Sequence, residues 1–148
     1  MPSFYTKIEQ EVSNLYNRKG YIIAEVSNKE SLKWIKDKYI HLISKELNIK
    51  FNSEKEKNKI FDNFHKLINV KNLNKIRLKI FNDINIQKNF RWHYYNLAKP
   101  FLDIINGNEL VMQKKINLSI QLPNDNSSTL PVHADTWSGD SPFETVVW

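Results

Sequence analysis

Ile116-Asn117-Leu118-Ser119-Ile120-Gln121-Leu122 alternates apolar and polar residues without a break. An extended chain sends successive side chains to opposite faces, so the run predicts a strand. Ile116, Leu118, Ile120 and Leu122 would lie on its buried face, and Asn117, Ser119 and Gln121 on the other. A one-residue slip would exchange the two faces, so the pattern also predicts a definite register.

Upstream of this run the period is that of a helix. Ile8, Val12, Leu15 and Tyr16 form one stripe, ended by Gly20. Ser27 or Asn28 can cap a second helix bearing Leu32, Ile35, Tyr39, Leu42 and Ile43. Ile60, Phe61, Phe64 and Ile68 make a third stripe, and Leu73, Ile76, Ile80 and Ile84 a fourth. The aromatic run Phe90 to Ala98 also reads as helix; Pro100 should begin or kink the next turn, and Gly107 should stop it. Two stretches read otherwise. Tyr21 to Val26 is short, apolar and β-branched, hence a strand, and residues 52–58 are polar enough for a loop.

Downstream, Pro123-Asn124-Asp125-Asn126-Ser127-Ser128 has the composition of a turn. Leu130 to Asp135 suits a second strand, and Phe143 to Trp148 begins a third. No repeat and no linker divides the chain. The expected fold is therefore α+β: one domain over residues 1–148, with a mainly helical layer (1–112) packed on a β-sandwich or jelly roll whose first core strands occupy 113–148. An apolar strand running to the last residue, with no turn or tail after it, is either an edge strand at a natural terminus or the sign of an incomplete piece, and the second reading is favoured.

Composition narrows the chemistry. The 148 residues include no cysteine, which excludes a disulfide framework, a thiolate metal site and a cysteine nucleophile. The N-terminus lacks the basic and apolar succession of a secretory signal, and no apolar run is long enough to span a bilayer, so a cytoplasmic location without membrane attachment is expected. The net charge of +6 raises the question of nucleic acid. The excess is nearly all Lys, interspersed with Asn, Ile and Glu. Only Arg18, Arg77 and Arg91 offer forked contacts, and no recognition module is present, so nucleic acid is not an expected partner.

The densest chemistry follows the alternating run. In Leu130-Pro131-Val132-His133-Ala134-Asp135, His133 and Asp135 stand two positions apart, so an extended backbone would present both to one metal ion. The bland reading is a loop histidine bonded to a neighbouring carboxylate. Trp137-Ser138-Gly139-Asp140 follows as a compact polar and aromatic loop in which Trp137 could stack on a sugar and Asp140 could accept hydroxyl hydrogen bonds. Asn117, Ser119 and Gln121 either bind a cofactor or orient a ligand from one strand face, or simply face water. His41, His65 and His93 all precede the motif in helical segments.

The longer string, from Asn117 to Pro123 and then Asp125, Ser127-Ser128, Leu130 to Asp135, Trp137 to Glu144 and Val146-Val147-Trp148, resembles the iron(II)/2-oxoglutarate oxygenases found sporadically in carbohydrate biosynthesis clusters. These are relatives of the phytanoyl-CoA dioxygenase type. The resemblance is specific over about the last 45 residues and thins toward the N-terminus. It implies a double-stranded β-helix, a ferrous ion on His133 and Asp135, 2-oxoglutarate as co-substrate with Asn117 and Gln121 as candidate contacts, dioxygen, and a carbohydrate-type substrate near Trp137 and Asp140. It also implies a distal His and a basic residue clamping the oxo-acid in a C-terminal half that this sequence does not contain. The chain would then be the N-terminal part of a hydroxylase, silent alone. A non-catalytic jelly roll binding a carbohydrate or metabolite is the alternative. A His/Asp metal hydrolase would need a third ligand and a base that nothing in the sequence supplies together.

Overall fold

The computed structural model describes residues 4–126 and 130–148. Six helices follow in order: α1 (Lys7–Lys19), α2 (Lys29–Leu47), α3 (Glu54–Asn58), α4 (Phe64–Leu67), α5 (Val70–Asn85) and α6 (Phe90–Asn106). A single 3-10 turn, Asp135–Ser138, comes later. The described residues contain no strand and no sheet.

The helix starts are chemically marked. Thr6, Asn28, Ser53 and Asn69 each accept, on a side-chain oxygen, the N–H three residues on. At α1 the box is reciprocal: the Thr6 N–H donates to Glu9 Oε2 at 2.6 Å, and the Glu9 N–H donates to Thr6 Oγ1 at 3.2 Å. Gly107 ends α6 at φ 83°, ψ −171°, a conformation open essentially to glycine alone.

These caps differ in their response to acid. The Thr6 backbone N–H, and then its hydroxyl, hold the Glu9 carboxyl below its ordinary value of 4.5. A carboxylate with a lowered folded-state pKa contributes stability above the unfolded value and loses it as pH falls through the folded one. Acidification below about pH 4.5 is therefore expected to fray the first turn of α1, while the first turn of α5, capped by neutral Asn69, holds. Amide exchange at residues 7–10 against 70–73 measures the difference.

The core is the meeting of three helices. α2 packs on α5 and α6, α5 touches α6, and α1 lies on α6. Leu73, Ile76, Ile80 and Ile84 of α5 are all buried, as their spacing predicts, against Ile35, Leu42 and Ile43 of α2 and Phe90 of α6. Phe90 stacks edge-on against Tyr39, centroids 6.1 Å apart. The stripe of α1 is real but shallow: Val12, Leu15 and Tyr16 are half-buried and Ile8 is exposed. α6 continues through Pro100, which costs it one helical hydrogen bond without ending it.

Several expectations are corrected. Residues 52–58 are not all loop, because the Ser53 cap and the glutamates behind it start the short α3. The stripe from Ile60 to Ile68 is not one helix; turns at 59–63 precede α4, yet Ile60, Phe64 and Ile68 are buried all the same. Tyr21 to Val26 is an exposed connection between α1 and α2, with Ile23 facing water.

The largest correction concerns the α+β fold with its jelly-roll or double-stranded β-helix core, because helices are the regular structure of the described residues and no sheet forms among them. Residues 116–122 show the alternating burial of an extended chain: Ile116 is buried, Leu118, Ile120 and Leu122 are half-buried, and Asn117, Ser119 and Gln121 are exposed. Their apolar face rests on the helices. Alternation dictates two faces, but a strand also needs a neighbour along its edge, and none is supplied. Leu130 to Asp135 and Phe143 to Trp148 do not pair with it or with each other. The last segment instead runs beside α6, where the Tyr94 hydroxyl donates to the Val147 carbonyl at 2.7 Å and the Thr145 hydroxyl donates to Asn106 Oδ1 at 3.0 Å.

Candidate functional site

Ala134 is extended at φ −113°, ψ 135°, which keeps the side chains of His133 and Asp135 on one side of the backbone. Asp135 then opens the 3-10 turn, closed by Trp137 N–H donating to the Ala134 carbonyl at 2.9 Å and by Gly139 N–H donating to Thr136 at 3.2 Å. Gly139 stands at φ 98°, where a side chain would be strained.

The outcome is a converged pair. His133 Nε2 lies 3.4 Å from Asp135 Oδ1, with the two side chains 41% and 56% exposed. His133 Nδ1 is 2.7 Å from the Pro131 carbonyl oxygen. A carbonyl only accepts, so Nδ1 carries the proton, and in the neutral ring Nε2 holds the lone pair. A backbone carbonyl fixing the outer nitrogen of a metal-binding imidazole is the usual supporting arrangement. The same geometry serves a bare ion pair when the ring is protonated.

The other expected site residues lie as follows. Trp137 is 76% exposed, within the turn that begins at Asp135. Asp140 is exposed, and its N–H donates to the Asp135 carbonyl at 3.4 Å. Asn117 and Gln121 point outward on the extended segment, and no hydrogen bond or ion pair among the described residues links them to His133 or Asp135. His41 and His65 are surface residues. His93 is a structural clasp between α2 and α6: its Nδ1 is 3.0 Å from the buried Ser31 hydroxyl, and its ring stacks on Trp34 at 4.3 Å. Among the described residues no three His, Cys, Asp or Glu side chains group around a common point.

What the sequence reading missed is how the alternating segment is held. The Asn85 amide accepts from the Ile116 N–H at 2.8 Å and donates to the Ile116 carbonyl at 3.0 Å. Arg77 Nη1 donates to the Leu118 carbonyl at 3.2 Å. These partners lie 31 and 41 positions apart, and no local signal marks them. A cavity of about 400 Å³ lies between this segment and the helices, walled by Tyr39, Ile43, Phe64, Leu118 and Ile120 and reaching Gln121. Burial, with Tyr94 nearby, pushes the Tyr39 phenol up to about 12. None of the lining residues belongs to the His133 loop.

No helix among the described residues is long and apolar enough to cross a membrane. Comparison of the chain with models of protein families, with curated proteins and with solved structures finds no match.

Proposed function

We propose that His133 and Asp135 are two ligands of a ferrous ion, and that the chain contributes them to an iron(II)/2-oxoglutarate-dependent oxygenase acting on a sugar or sugar-linked metabolite. The observation that carries this reading is the 3.4 Å approach of His133 Nε2 to Asp135 Oδ1, with Nδ1 already engaged by the Pro131 carbonyl. It rests on these two donors and the sequence string around them, and not on a sheet.

The donor set fits part of such a centre. A neutral imidazole nitrogen and a carboxylate oxygen are the ligand types of a facial triad, and the third donor must come from outside the described group. Iron with 2-oxoglutarate and dioxygen would supply the oxidising power for hydroxylating a C–H bond. The chain's own residues have simpler tasks. The Pro131 carbonyl holds the His133 tautomer, and the turn at Asp135 aims the carboxylate. Trp137, exposed beside the pair, offers a flat apolar surface to a sugar ring, and Asp140 offers an acceptor to its hydroxyls.

Anaerobic titration with Fe(II), and with Co(II) as its spectroscopic stand-in, tests the pair directly. The wild-type chain is expected to bind one ion, with uptake weakening as pH falls, because metal ligands bind in their deprotonated form. His133→Ala and Asp135→Ala should each lower the affinity more than about tenfold, since losing only a ligand's supporting hydrogen bond costs that much. Equal binding by wild type and both variants, or no binding at all, would overturn the reading. A chain that binds sugar but no metal would favour the non-catalytic alternative.

A further inference from the structure

We infer that two copies of this chain pair through the exposed edge of residues 117–121, antiparallel, about a two-fold axis at Ser119. In an extended backbone the N–H and C=O of one residue point to the same edge, and those of the next residue to the other. The even-numbered edge is the one turned to α5, where Asn85 takes both groups of Ile116 and Arg77 takes the carbonyl of Leu118. On the odd-numbered edge, the N–H and C=O groups of Asn117, Ser119 and Gln121 have no hydrogen-bond partner among the described residues. Edges of this kind are normally blunted by Lys, Pro or a bulge. Between Ile116 and Leu122 there is no charged residue and no proline.

A second copy fits this edge in one register. Antiparallel pairing about Ser119 sets Ser119 against its own counterpart and Asn117 against Gln121 of the other copy, twice. Each of these pairs exchanges two hydrogen bonds, so every group on the free edge is satisfied. Uncharged amide and hydroxyl side chains meet across the axis without repulsion. Charge also selects the direction. Lys114 and Lys115 fall opposite Asn124 and Pro123, at the two far ends, whereas parallel pairing would set the lysines of the two copies side by side. This inference stands independently of the metal reading.

The absence of cysteine makes the test direct. In the proposed register the two Ser119 Cα atoms lie about 5.5 Å apart, inside the disulfide range, while the two Asn117 Cα atoms are roughly 14 Å apart. Sedimentation of the wild-type chain should show a concentration-dependent dimer. Ser119→Cys should crosslink under mild oxidation at least about tenfold faster than Asn117→Cys alone. Mixing Asn117→Cys with Gln121→Cys should restore crosslinking as a heterodimer. Ser119→Pro keeps an extended backbone but deletes the central N–H, and should yield monomer with an unchanged helical spectrum. A wild type that stays monomeric to its solubility limit would overturn the proposal. So would crosslinking indifferent to position. Should Ser119→Pro not fold, the cysteine series decides alone.

Discussion

Phe90→Ala is expected to lower the unfolding free energy by about 3–5 kcal/mol, the range for truncating a fully buried aromatic. Phe90 is 1% exposed at the first position of α6 and packs among the buried stripes of α2 and α5, so its removal opens a cavity where all three helices meet. It also deletes the edge-on contact with Tyr39 and the tilted one with Tyr94. A domain of this size carries about 5–15 kcal/mol in all, so the variant should unfold at a markedly lower urea concentration. Phe90→Leu, which keeps most of the volume, is the control and should recover most of the loss. An equal loss in both variants would mean that ring geometry, not filled space, sets the cost.

Asn85→Ala is expected to cost about 2–3 kcal/mol, more than the usual worth of a lone hydrogen bond, because it strands groups that the fold has already buried. Ile116 is 3% exposed, and both its backbone groups depend on the Asn85 amide. Without it the segment either keeps two unsatisfied groups or lifts from the helices. Hydrogen exchange separates these outcomes from global unfolding: amides of 116–122 should lose protection while those of Ile76 and Ile80 keep it. Unchanged exchange throughout would show that the apolar face alone holds the segment.

The helical part was legible because its signals are local. The four-residue stripe of α5 and the Gly107 stop concern neighbours in sequence, and the structure places them as read. α3 escaped because five polar residues carry no stripe; only the Ser53 cap marks it. The sheet failed for a different reason. Alternation at 116–122 correctly foretold which side chains meet the core, but pairing is a property of two segments, and nothing in one run names its partner. His133 and Asp135 meet as their spacing suggests, although the backbone around them is a turn rather than a strand. Their neighbours in function were less legible. Asn117 and Gln121 share a face with each other but, among the described residues, make no hydrogen bond or ion pair with His133 or Asp135, and a face says nothing of where in the molecule it looks.

The Asn85–Ile116 clasp also closes a long ring of chain. It ties the last turn of α5 to a point 31 residues later, and the whole of α6 lies inside the ring so formed. Closing such a ring costs chain entropy, which the two Asn85 hydrogen bonds and the burial of Ile116 help to offset. The contact is thus long-range, and the segment beyond it depends on residues that the sequence sets far away. The polar face of Asn117, Ser119 and Gln121 is therefore a property of the folded body as a whole, since its placement rests on a bond to the end of α5.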